Sequence, residues 1–326
     1  MKRTPLLVAA TAAAALALAA CSGSAGSSGS PSGDSYSIGI TQITTHASLD
    51  AAREGFKKAF ADAGIDAEFD EQNAQGDQAT ATSIASKFAS AKHDLVLAIA
   101  TPSAQAAAQA IADAPILFTA VTDPVSAQLV DSMDKPGSNV TGTTDMNPVA
   151  DQISLIKKFA PQAKTVGVIY SSGEVNSEVQ VRLAKRAADA EGLAVVESTV
   201  TNSSEVQQAA EDLASKVDAI YVPTDNTVVS ALASVVQSAE EAKIPLIAGE
   251  SDSVANGALA TYGIDYSKLG HQTGEMAIKI LKDGADPATL PVEAQKEYRL
   301  TVNTTTLKAL GLEMPADLED KAVAVE

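Results

Sequence analysis

The stretch Asp94-Leu95-Val96-Leu97-Ala98-Ile99-Ala100-Thr101-Pro102-Ser103-Ala104-Gln105 carries the change from strand to helix around which this 326-residue chain is organised. Its six consecutive apolar residues, 95–100, are too few for an ordinary helix and suit a strand buried on both faces of a parallel sheet. The run stops at Thr101-Pro102-Ser103. Thr101 is placed to act as N-cap, Pro102 sits where a first helical residue needs no N–H, and residues 104–112 are Ala-rich and strongly helix-forming. A buried strand therefore ends directly at a helix N-terminus. Open parallel α/β sheets bind ligands at such junctions, because unpaired N–H groups and the positive end of the helix dipole point into the crevice. The same unit recurs at Asp218-Ala219-Ile220-Tyr221-Val222-Pro223-Thr224-Asp225-Asn226, where an apolar strand again breaks at Thr before a helical run.

Outward from these two junctions the chain alternates strand and helix. In the first half, strands are expected at residues 37–43, 65–71, 95–100, 115–121 and 139–144, the last near a sheet edge, with helices at 48–63, 77–91 and 104–112. The programme then restarts. Helix 149–159 leads to strand 165–170, helix 176–191, strand 194–200 and helix 204–215, where Ser204-x-x-Gln207 reads as a capping box. Strand 219–223, helix 227–243, strand 244–248 and strand 258–263 complete the second half. Alternation of this kind means right-handed βαβ crossovers. The expected fold class is α/β, with two doubly wound parallel-sheet lobes and a ligand cleft between them. The tail, with helix 266–282, strand 294–303 and helix 304–310, is too short for a third domain and is expected to cross back between the lobes. Residues 36–145 plus about 266–290 then form the first lobe, and 146–265 plus about 291–326 the second.

Composition narrows the function. A net charge of −18 disfavours nucleic acid and anionic lipid surfaces as partners. With no Trp and 4% aromatic residues, a sugar site built on aromatic platforms is disfavoured too. The sole cysteine, Cys21, excludes disulfides within the chain and Cys-rich metal sites. It also ends an N-terminal segment in which Lys2 and Arg3 precede an apolar, Ala-rich run, so residues 1–20 read as a signal peptide. Leu18-Ala19-Ala20-Cys21 looks like a lipobox, with Cys21 lipidated and residues 21–35 a Ser/Gly-rich tether. No later apolar run approaches the ~20 residues that span a bilayer. The expected location is extracytoplasmic, anchored to the cell membrane through Cys21.

The residues that follow the strands should line the cleft: Thr41 to His46, Thr101-Pro102-Ser103, Thr122-Asp123-Pro124, Ser171 to Ser177, Thr224-Asp225-Asn226, Gly249-Glu250-Ser251 and Gly263 to Tyr266. None is Lys or Arg, which disfavours phosphate, sulfate and dicarboxylates. Asp123, Asp225, Glu250 and Asp265 supply negative charge, and helix N-termini with Ser/Thr hydroxyls suit a carboxylate. Together they match a zwitterion such as an α-amino acid. Each Asp alone is equally well read as a helix cap. Asp225 is the first choice for the ligand's ammonium group, with Asp123 or Glu250 as alternatives; Thr101, Ser103 and Thr122 are the choice for its carboxylate. Catalysis finds no motif: there is no G-x-S-x-G, no G-x-G-x-x-G, no P-loop, and His46, His93 and His271 lack metal-ligand spacing. No cofactor and no metal are expected. His46, directly after the first strand, reads either as a ligand contact or as a helix-start residue.

Residues 38–310 resemble a solute-binding lipoprotein of ABC importers, in the family that includes tryptophan- and phenylalanine-binding members with the type I periplasmic-binding-protein fold. The resemblance rests on Gln42-x-x-x-His46-x-x-Leu49-Asp50, Asn73-Ala74-Gln75-Gly76-Asp77, Ile99-Ala100-Thr101-Pro102, Thr122-Asp123-Pro124, Pro136-Gly137-x-Asn139-Val140-Thr141-Gly142, Tyr170-Ser171-Ser172, Pro223-Thr224-Asp225-Asn226 and Gly263-Ile264-Asp265-Tyr266. It implies ligand contacts at Gln42, His46, Thr101, Ser103, Thr122, Asp123, Ser171, Asn176, Asp225 and Glu250. It also implies a monomer that closes over a small ligand, an aromatic amino acid above others, and hands it to an ABC permease. A sensor lipoprotein for a signalling receptor, or a binder of a sugar or nucleoside, is the alternative.

Overall fold

In the computed structural model, which describes residues 35–326, the apolar runs become strands and the Ala-rich runs helices. The expected signal peptide, the lipidation of Cys21 and nearly all of the tether lie outside the described residues. Among the described residues no helix is long and apolar enough to cross a membrane.

The first half runs β1 (Tyr36–Gln42), α1 (Ala47–Asp62), β2 (Ala67–Asn73), α2 (Gln78–Ala91), β3 (Leu95–Ile99), α3 (Thr101–Ala110), β4 (Ile116–Val121) and β5 (Val140–Thr144). The second runs α4 (Val149–Phe159), β6 (Thr165–Ser171), α5 (Val175–Ala190), β7 (Ala194–Val200), α6 (Val206–Ala214), β8 (Ile220–Val222), α7 (Asn226–Val229), α8 (Leu232–Ala242), β9 (Leu246–Ala248), α9 (Ser251–Ala255) and β10 (Ala260–Gly263). The tail adds α10 (Tyr266–Asp283), β11 (Glu293–Ala294), β12 (Arg299–Asn303), α11 (Thr304–Ala309) and β13 (Ala322–Val325).

Two sheets result. The first has the order β11-β5-β4-β3-β1-β2 and every pairing in it is parallel. The second has the order β13-β12-β10-β9-β8-β6-β7, parallel except where β10 meets β12. β3 is buried along its whole length, as its unbroken apolar run requires of a central strand covered on both faces. Helices α1 and α10 lie against each other on the first lobe, and α2 against α3. The α1–α10 contact is close because glycines line it: a Cβ at Gly270 would collide with the Ala52 carbonyl, and one at Gly55 with that of Ser267. Beneath α1, Phe56 and Phe60 are buried with ring centroids 5.3 Å apart, each such burial worth about 1.5–3 kcal/mol. In the second lobe one apolar cluster lies under α4 and α5, the other under α6 and α8.

Four local expectations need correction. Ala100, at φ 77°, takes the N-cap position of α3 in place of Thr101, because it is the single residue between β3 and the helix. Asn202 accepts from the Ser204 N–H and caps a short 3₁₀ turn, Ser203–Glu205, while Gln207 bonds to Glu211, so no capping box forms. The long helix expected over 227–243 is broken: Thr227, Val228 and Val229 are β-branched, and the Ser230 hydroxyl donates back to the Thr227 carbonyl at 2.7 Å, which ends the first segment. The strand expected over 294–303 is divided between the sheets. Glu293–Ala294 still pairs with β5 in the first lobe, so the chain returns to the second lobe later than residue 291.

Candidate functional site

The chain passes between lobes three times, after β5, after β10 and after β11. These crossovers are tied to one another. Asn147 Oδ1 accepts from the Ile264 N–H at 3.1 Å, the Gln295 amide donates to the Asp265 carbonyl at 2.6 Å, and the Tyr266 hydroxyl donates to Asp145 Oδ2 at 2.8 Å. Away from the crossovers the lobes also touch. Ser48 Oγ donates to Asp252 Oδ2 at 2.9 Å, Thr122 Oγ1 lies 3.4 Å from Thr224 Oγ1, and His46 Nε2 lies 3.4 Å from Asn226 Oδ1. The lobes are therefore closed on each other.

Between them remains a cavity of about 10 Å³, room for a single water-sized sphere. His46, Leu49, Ala120 and Thr122 line it from the first lobe, Asp145 and Tyr266 from the crossovers, and Asn176, Thr224, Asn226 and Glu250 from the second lobe. Asn226 also lines a cleft of about 520 Å³ to one side, with Thr44, Pro102, Ser171 and Glu174. His46 and Glu250 also line a cleft of about 300 Å³ to the other. Neither Lys nor Arg lines the cavity or these two clefts.

The cavity is acidic. Asp145 is 3% exposed; its Oδ2 accepts from Tyr266, but Oδ1 has no hydrogen-bond partner. Burial pushes this carboxyl up, against the pull of the Tyr266 and Thr122 hydroxyls. Glu250 Oε1 accepts from Ser253 Oγ at 3.0 Å and lies 3.9 Å from His46 Nδ1, and burial raises its carboxyl also. His46 Nδ1, Asn176 Oδ1, Thr101 Oγ1 and Ser103 Oγ are likewise buried without a partner. Backbone strain gathers here as well: Ala100 and Ala120 hold positive φ, 77° and 55°, in a region that L side chains rarely adopt. Unpaired buried groups and buried carboxyls at and beside the cavity make it the candidate ligand site.

Of the residues expected from sequence, His46, Thr122, Asn176 and Glu250 meet at the cavity. Ser171 lines the larger cleft, and Thr101 and Ser103 flank Pro102, which lines it too, in the first turn of α3. Three residues go elsewhere. The Gln42 amide donates to Asp50 and to the Thr44 carbonyl and accepts from Arg53, all within its own lobe. Asp123 accepts from the N–H and hydroxyl of Ser126, closing a turn. Asp225, the first choice for the ammonium, is engaged within its own lobe: its oxygens accept from Ser171 N at 2.6 Å, Ser177 Oγ at 2.6 Å and Val228 N at 2.7 Å, holding the second lobe and the start of α7. Burial and the neighbouring Glu174 push its carboxyl up to about 7. Thr224, Asn226 and Tyr266, expected to line the cleft though not singled out as ligand contacts, also line the cavity, and Asp145 joins them unexpectedly. Asp145 immediately follows β5, so the rule that strand ends line the cleft reaches it once that strand is not set aside as a sheet edge.

Residues 37–326 match the family described as ABC transporter substrate binding protein. A protein named tyrosine-binding protein, from Clostridioides difficile strain R20291, is 49% identical over 281 residues, covering 85% of this chain and 81% of that one. Among solved structures, an ABC domain in complex with L-Trp from Streptococcus pneumoniae is 37% identical, with a TM-score of 0.87 over 90% of this chain and 100% of that one. The ligand-free, open structure of a substrate-binding protein with adhesive properties from Clostridium difficile is 50% identical, yet its TM-score is 0.67 over 89% of this chain and 100% of that one. The less similar sequence superposes better, so lobe disposition and not divergence separates the two, in line with the contacts across the cleft. The chain belongs to the ABC transporter substrate-binding protein family.

Proposed function

We propose that this chain is an extracytoplasmic solute-binding lipoprotein, held to the membrane through Cys21, that captures an aromatic amino acid by hinge closure and presents it to an ABC permease. The observation that carries the ligand class is the pair of buried carboxylates, Asp145 and Glu250, in an interlobe cavity without Lys or Arg. A cationic group is what such a cavity lacks, since an unpaired buried charge costs several kcal/mol. The ammonium is assigned to Asp145 Oδ1 with Glu250 beside it, in place of Asp225. The carboxylate is assigned to the hydroxyls of Thr101, Ser103 and Thr122 with the unpaired N–H groups that open α3. The ring is assigned to the larger cleft, because the closed cavity is too small for it. The aromatic choice is supported by the tyrosine-binding and L-Trp-bound relatives. Entry needs the lobes to part about the three crossovers, and the protein binds its ligand without turning it over.

The test is calorimetric titration of protein stripped of ligand by unfolding and refolding. Tyrosine, tryptophan and phenylalanine are compared with tyramine, which lacks the carboxylate, and 4-hydroxyphenylpropionate, which lacks the amine. At least one amino acid should bind, with both truncated analogues about a hundredfold weaker or worse. Binding of a sugar or nucleoside with none of these amino acids would sink the reading.

A further inference from the structure

We propose that Asn176 reads the ligand's side chain, so that the site selects an aromatic amino acid whose ring ends in an O–H or N–H donor over one whose ring ends in C–H. The inference rests on the amino-acid reading above and deepens it.

Asn176 is 3% exposed, in the first turn of α5, and its Oδ1 is a buried acceptor with no partner while the residue lines the interlobe cavity. The orientation of its amide is fixed by chemistry. Nδ2 lies 3.0 Å from the Thr224 carbonyl and 3.1 Å from Glu174 Oε2, which can only accept from it; a flipped amide would set its oxygen against both. Glu174 is itself pinned by the Thr227 N–H at 3.0 Å and the Thr227 hydroxyl at 2.8 Å. The acceptor is therefore rigid before any ligand arrives, and a rigid buried acceptor discriminates by what it loses when nothing donates to it.

Two features point to the side chain and not the ammonium as its partner. The cavity already holds two carboxylates, Asp145 with an unpaired oxygen and Glu250, which meet a positive charge better than a neutral amide does. Asn176 is also tied to the cleft that has room for a ring: Glu174, which accepts from its amide at 3.1 Å, lines the 520 Å³ cleft, and Asn226, whose N–H donates to the same Glu174 at 3.2 Å, lines both cavity and cleft. Phenol and indole share the required chemistry, a single neutral donor on an aromatic edge.

Titration of the parent protein with tyrosine, tryptophan, phenylalanine and 4-fluorophenylalanine reads the selection. The better of tyrosine and tryptophan should bind about tenfold or more tighter than phenylalanine and its fluoro analogue. O-methyltyrosine and 1-methyltryptophan identify the source, since the methyl group should abolish the advantage only of the ring that donates. Asn176→Ala should bring phenylalanine within about threefold of the preferred ligand. Phenylalanine within threefold of both donors on the parent protein overturns the proposal, as does a preference that survives in a folded Asn176→Ala. Should that variant fail to fold, the parent series decides alone. Binding of no amino acid brings down the amino-acid reading and this inference with it, an outcome distinct from indiscriminate binding.

Discussion

Asp225 and Asp145 stand just beyond the ends of parallel strands, are 1% and 3% exposed, and are both pushed up by burial, yet their surroundings are opposite. Asp225 accepts from two backbone N–H groups and a hydroxyl, all of its own lobe. Asp145, between the lobes, keeps one oxygen without a partner. A buried carboxylate whose acceptor sites are filled by its own lobe is part of the architecture; one left half satisfied between the lobes still has an acceptor to offer.

The largest effect should come from breaking the second of these. Asp145→Asn keeps an acceptor for the Tyr266 hydroxyl, so the free protein should melt near the parent temperature, while affinity for the amino acid falls by ~2–4 kcal/mol on calorimetric titration. A loss below threefold would remove Asp145 from the ammonium site. Asp225→Ala should do the reverse. Three donors lose their acceptor, and denaturant unfolding should report a loss of ~2–3 kcal/mol, with the affinity of the folded fraction within threefold of the parent. Weakened binding at unchanged stability would restore Asp225 to the site.

Acidity sharpens the comparison further. The Asp225 carboxyl, at about 7 in the fold against an ordinary 3.8, holds a proton that the unfolded chain has released, so between those values the native state binds more protons and stability falls as pH rises. Asp145 and Glu250 are raised and act in the same direction. Depressed surface carboxylates such as Asp218 oppose this only at lower pH, since their contribution is complete above the ordinary carboxylate range. The melting temperature of the free protein should therefore decline from pH 5 to about pH 7, and a rise across that interval would contradict the assignment. The smallest effect is expected at the lobe boundary itself. Ser48→Ala removes the hydroxyl that meets Asp252, and affinity should fall by ~0.5–1 kcal/mol, with small-angle scattering showing less complete closure at subsaturating ligand.

Much of this architecture is legible from residue order alone. The run at 95–100 gives β3, and its recurrence before Thr224 gives β8 and with it two lobes. What escapes has local causes. Residues 295–298 look like strand because a crossover is also extended, and only the Gln295 contact with Asp265 shows that they change lobes. β13 is a four-residue strand beside β12 with its central residues exposed, and its Ala-Val-Ala-Val run is too short and too exposed to announce a core strand. Within the site, sequence places acids and hydroxyls at strand ends but not the direction in which they turn. Gln42 folds back on Asp50 and Arg53, and Asp123 on Ser126, because partners within reach in the same lobe satisfy them first. Asp145 is met by Tyr266, 121 positions away, which bonds one oxygen and leaves Oδ1 without a hydrogen-bond partner.

The division of the tail between the lobes has a consequence for the order of events during synthesis. The first lobe lacks α10, the helix that seats on α1 through Gly270 and Gly55, until residues 266–283 exist, and the second lacks β12 and β13 until the chain is nearly complete. The α1–α10 contact therefore joins early residues to late ones, a separation in sequence that slows folding for a given stability. A chain emerging N-terminus first has no finished lobe to settle into until almost all of it has appeared.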